Sequence, residues 1–148
     1  MAHAFKIVPT LAADQRAALE QLLYFNVNQE RLRAGIQRSI DSYGVPEILE
    51  QDGKLRIRVS RIKDAQTLFA VSKFGNPMGV AVFARVAPDR VALLHLAVLP
   101  HLQSTADTNG RVLLDLVEEV FRVAKHTHGV DRVDLIYSQR LSAHARQF

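Results

Sequence analysis

The chain has 148 residues, of which 48% are apolar and 23% charged, an ordinary globular composition that suits one domain with one core and excludes a disordered or fibrous chain. Its net charge of +4 attracts anions only mildly, and scattered arginines without a tryptophan argue against nucleic acid as the partner. The absence of cysteine excludes disulfides, thiolate nucleophiles and sulfur-ligated zinc, and the start Met1 to Lys6 has no signal-peptide pattern, so a soluble cytoplasmic protein with no membrane segment is expected.

No internal repeat or Gly/Ser linker divides the sequence, and residues 1–148 are expected to form a single domain. Phe5-Lys6-Ile7-Val8 predicts a short strand ended by Pro9. Ala18, Leu19, Leu22 and Leu23 at helical spacing predict a helix over about Ala12 to Phe25. Asn26 or Asn28 can cap a second helix, in which Leu32, Ile36 and Ile40 recur until Tyr43-Gly44 ends it. Ile48 to Gln51 predicts a strand that enters Asp52-Gly53, a pair whose tolerance of positive φ favours a two-residue hairpin. In the partner strand, Leu55 to Val59, apolar residues alternate with Arg56 and Arg58.

Thr67 to Ser72 and Met78 to Val86 predict a second hairpin across Phe74-Gly75-Asn76-Pro77. Arg90 to Leu99 is mostly apolar and is interrupted within that run only by His95, the pattern of a central strand covered on both faces. Val112, Leu113, Leu116, Val117, Val120, Phe121 and Ala124 predict a long amphipathic helix, with Gly129 at its left-handed end. Val133 to Tyr137 follows that crossover helix and is expected to lie parallel to the strand from Arg90 to Leu99. Ser138 to Phe148 leaves room for a short terminal helix.

His95 is the titratable group of the central strand. A histidine there can accept a proton, because its ordinary pKa lies near neutrality; equally, it can be a buried histidine satisfied by a neighbour. His101, His126, His128 and His144 lack paired carboxylates and read as surface histidines, so no metal is expected. At the far end of the same strand, the start of the next helix offers unpaired amides and a positive dipole end, which suit a pyrophosphate.

The stretch Leu93-Leu94-His95-Leu96-Ala97-Val98-Leu99-Pro100, a polar loop, and then Gly110-Arg111-Val112-Leu113-Leu114 resembles the strand-loop-helix motif of the GNAT N-acetyltransferase superfamily. In that family the central strand ends in Val-x-Pro, a glycine-bearing loop follows, and a paired leucine opens the next helix. The resemblance implies an α/β fold with a GNAT-like mixed sheet flanked by helices. Its C-terminal part is expected to be truncated, since the family continues with a helix and one or two strands. It further implies acetyl-CoA or another acyl-CoA as co-substrate and a primary amine, on a small molecule or a protein, as acceptor.

On that resemblance, Leu96, Val98, Gln103, Ser104, Asn109, Gly110 and Arg111 lie at the cofactor. His95 receives the proton and Tyr137 protonates the leaving thiolate; a packed aromatic at a strand end is the other role open to Tyr137. The loop departs from the family pattern. Ser104 to Asn109 lengthens it, its first glycine is missing, and Asp107 brings a negative charge towards the pyrophosphate. A non-catalytic GNAT-like binding or interaction module is therefore the alternative to the acyltransferase. An apolar sheet edge left open by the short ending invites pairing, so a homodimer is expected.

Overall fold

A computed structural model describes residues 5–24, 33–99, 106–135 and 146–147. In chain order the elements are β1 (Phe5–Val8), β2 (Leu11–Ala12), α1 (Arg16–Tyr24), α2 (Arg33–Tyr43), β3 (Pro46–Gln51), β4 (Lys54–Val59), β5 (Gln66–Ser72) and β6 (Pro77–Ala87), followed by β7 (Arg90–Val98), α3 (Ala106–Lys125), β8 (Arg132–Asp134) and β9 (Arg146–Gln147). The expected mixed sheet flanked by helices is present. Six strands lie in the order β1-β5-β6-β7-β8-β9, every neighbouring pair antiparallel except β7 with β8, which are parallel across the α3 crossover.

The hairpin β3–β4 forms a separate sheet with β2, in the order β2-β4-β3. Asp52 and Gly53 have φ of 55° and 74°, the left-handed pair that a two-residue turn of primed type requires. Along β4 the expected alternation holds: Leu55, Ile57 and Val59 are buried and Lys54, Arg56 and Arg58 exposed. The Thr67 hydroxyl of β5 accepts a hydrogen bond from the Ile57 amide (3.0 Å) and can donate to the Ile57 carbonyl (3.3 Å), which ties the small sheet to the large one.

The core has two parts, one for each face of the large sheet. Val112, Leu116, Val120 and Phe121 of α3 pack on Ala81, Phe83, Leu93 and Val98. Leu19, Leu22 and Leu23 of α1, with Leu55, Ile57 and Val59 of β4, pack on Phe69, Val80, Val82 and Leu94. β7 is therefore sandwiched, as its apolar run implied, and each fully buried Leu, Val or Phe stabilises by about 1.5–3 kcal/mol.

Four local expectations are corrected. The first helix does not begin at Ala12, which is extended at φ −63° and ψ 142° and pairs with Lys54; its first turn is a 3-10 turn at Ala13–Gln15. Leu113 is 42% exposed, beside Leu114 at 50%, so it stands outside the buried stripe of α3. α3 ends at Lys125, and the left-handed Gly129 (φ 85°) belongs to the turn that follows. Within the expected terminal helix, Arg146–Gln147 instead forms a strand against β8, with Gln147 opposite Arg132 and Arg146 opposite Val133. That pairing satisfies backbone groups on the outer edge of β8, the edge expected to be open. Among the described residues, no helix is long and apolar enough to cross a membrane.

Candidate functional site

β7 positions every described residue of the expected site that is not on α3. Its pairing with β6 shifts register between Val82–His95 and Phe83–Leu93, which leaves Leu94 as an extra residue, a β-bulge. The bulge resets which side chains face which layer. Leu93, Leu96 and Val98 share the α3 face, whereas Leu94 and Ala97 lie in the opposite part of the core. His95 is paired with Val82, a residue of that opposite layer, so it too turns away from α3 and towards the end of α2.

Two hydrogen bonds fasten α2 to this bulge. Buried Ser39 donates its hydroxyl to the Leu94 carbonyl at 2.6 Å. The Gly44 carbonyl, just past the helix end, accepts a hydrogen bond from the His95 imidazole. Three terminal carbonyls of α2 are satisfied locally: Gly44 N–H donates to Ile40 (2.8 Å), Arg61 N–H to Tyr43 (2.9 Å) and the Arg61 guanidinium to Asp41 (2.6 Å). Gly44 has φ of +103°, and a Cβ there would lie 2.0 Å from Ser60 Oγ, so only glycine fits this turn.

His95 is 2% exposed. Burial pushes its pKa down to about 4, with the Gly44 carbonyl opposing part of that shift. At neutral pH the imidazole is therefore uncharged and a weak base, well below the range in which a general base works best.

The carboxyl end of β7 lies under α3. Leu96 and Val98 are 8% and 7% exposed and face the α3 layer. Val98 pairs with Gly79 of β6, and a Cβ on Gly79 would lie 2.9 Å from Val112 and 3.0 Å from Leu116. The missing side chain lets the first half of α3 sit directly on the sheet beside Val98. Asn109 and Gly110 fall in the opening turns of α3. Arg111 follows, half-exposed and 3.5 Å from Asp115. The β7–β8 ladder runs from Arg90–Arg132 to Ala92–Asp134. Gln103, Ser104, Asp107's side chain and Tyr137 lie outside what is described.

No family model matches the sequence and no curated protein matches it. Among solved structures the chain is similar to a nourseothricin acetyltransferase, with a TM-score of 0.44 and 19% identity over 88% of this chain and 71% of that one. It is similar in the same degree to a GCN5-related N-acetyltransferase from Kribbella flavida, with a TM-score of 0.44 and 19% identity over 89% of this chain and 71% of that one.

The structure thus places Leu96 and Val98 on the α3 face of β7 and Asn109, Gly110 and Arg111 early in α3, and it turns His95 to the opposite face. Sequence reasoning placed Gly44 at the end of the second helix but missed its contact with His95, and it missed Ser39, Gly79 and the bulge at Leu94. A glycine inside an apolar strand pattern is a signal for close backbone approach, so Gly79 was within reach; Ser39 carries no signal of its own. A shallow groove of about 300 Å³, lined by Thr10, Gln51, Asp52, Lys54, Leu55 and Arg56, lies on the small sheet, away from both features.

Proposed function

We propose that the chain is an acyl-CoA-dependent N-acyltransferase whose co-substrate lies at the carboxyl end of β7, against the first turns of α3. The observation that supports this most is the parallel β7–α3–β8 unit. In such a unit ligands lie beyond the carboxyl ends of the strands, and the following helix turns its free amides towards them. Gly79 fits the same reading, because it lets α3 approach the strand end closely. The backbone of Leu96 and Val98, the amides of the first turn of α3, and Arg111 are the groups of this chain that would hold an acyl-CoA, together with Gln103 and Ser104. The co-substrate supplies the activated acyl group, and the acceptor is a primary amine of a small molecule or a protein.

In this reading His95 is a positioning residue: neutral, buried, and holding the end of α2 on the central strand. A second reading is a GNAT-like binding or interaction module without chemistry, and the burial and low pKa of His95 favour it. Calorimetric titration with acetyl-CoA and with CoA, followed by acyl-transfer assays on a panel of amines, separates the two. Micromolar binding with turnover supports the enzyme. Binding without turnover on any amine supports the module, and absence of binding at millimolar ligand removes the co-substrate from both.

A further inference from the structure

We propose that Arg90 and Arg132 form a binding site for a small oxyanion, a carboxylate or phosphate group, at the amino end of the β7–β8 pair. The two residues are direct partners in the parallel ladder. Ladder partners project from the same face, here on strands about 4.8 Å apart. Their Nε atoms are both buried from solvent, and neither has a hydrogen-bond acceptor among the described residues. Two Nε donors at adjoining ladder positions are therefore buried from solvent with no acceptor among the described residues. Native chains leave few such donors, and a pair of them at adjoining ladder positions points to a missing acceptor.

The charge balance agrees. Asp134 lies 3.2 Å from Arg90 Nη1 and is the carboxylate that pairs with this cluster among the described residues. Asp89 and Asp131, next to the arginines in the chain, are exposed, and the Asp131 amide donates to the Asp89 carbonyl at 2.9 Å. Among the described residues, two guanidinium charges against one close carboxylate leave room for one anionic group. Tyr43, at the end of α2, lies near enough to Arg90 and Asp134 to feel both charges. Its pKa is raised, chiefly by burial, so it stays protonated. The guanidinium fork presents parallel N–H donors that match two oxygens of a carboxylate or phosphate, a match that an ammonium lacks.

Arg90 stands eight residues before Val98, about 25 Å along a strand at about 3.3 Å per residue, so this site is separate from the proposed acyl-CoA end and does not depend on it.

The test is calorimetric titration of the full chain with inorganic phosphate and with acetate, each against chloride at equal ionic strength. Arg132→Gln, Arg132→Lys and Arg58→Gln are measured alongside, with circular dichroism to check folding. We expect saturable binding of one or both oxyanions, the tighter of the two identifying the group. Arg132→Gln should weaken it about tenfold or more, and Arg132→Lys, which keeps the charge but loses the Nε donor, should weaken it measurably. Arg58→Gln, on the exposed face of β4, should leave it unchanged. Absence of saturable binding by the wild-type chain overturns the proposal, as does binding that survives undiminished in a folded Arg132 variant. If Arg132→Gln does not fold, Arg132→Lys decides.

Discussion

The His95 imidazole is held between a bulged strand and the Gly44 carbonyl just past α2, and its burial makes it a sensor of acid through stability. The unfolded chain takes a proton near the ordinary pKa of 6.5, whereas the folded chain refuses it until about 4. Stability from this residue is therefore full above about pH 6.5 and is lost as pH falls towards 4, by about 3 kcal/mol in all. Chemical denaturation across that range should show a shallower pH slope for His95→Asn than for the wild type; an equal slope would show that other groups carry it. Ser39→Ala removes the donor to the buried Leu94 carbonyl and should cost about 1–3 kcal/mol. Its urea midpoint should fall while the slope of the transition stays constant. The presence of a histidine in the central strand was legible from the sequence, but its direction was not. Plain alternation from Leu93 would turn His95 towards α3, and the extra residue at Leu94 reverses that.

At the scale of elements, α3 and Gly79 form one unit. A methyl group on Gly79 would press on Val112, Leu116 and the Ala97 carbonyl at 2.9, 3.0 and 3.2 Å, so Gly79→Ala should lift α3 from the strand end and cost about 1–3 kcal/mol. If the acyl-CoA end is where we propose, the same variant should also bind acetyl-CoA more weakly, which calorimetry reads directly. Leu116→Ala, fully buried under the same helix, should cost about 2–5 kcal/mol in thermal or urea unfolding. The hairpin β3–β4 was readable because Asp52-Gly53 and the alternation along β4 are local signals. Its membership of a second sheet with β2 was not, since that depends on Leu11 and Ala12 meeting Leu55 and Lys54 across more than forty residues of chain.

For the whole molecule, the proposed function makes a linkage prediction: acetyl-CoA at about a hundred times its Kd should raise the unfolding free energy by about 2.7 kcal/mol, visible as a rise in Tm. A Tm unmoved by acetyl-CoA at millimolar concentration would count against the proposed site. Apart from β2 and β9, the order of strands and helices, the two hairpins, the central place of β7 and the crossover to a parallel β8 followed from periodicity and turn chemistry, which act over a few neighbouring residues. The facing of His95, the seat of α3 on Gly79, the exposure of Leu113 and the meeting of Arg90 with Arg132 did not. Each of these is set by register between strands or by the packing of one layer on another, and those depend on partners distant in the chain that local patterns do not encode.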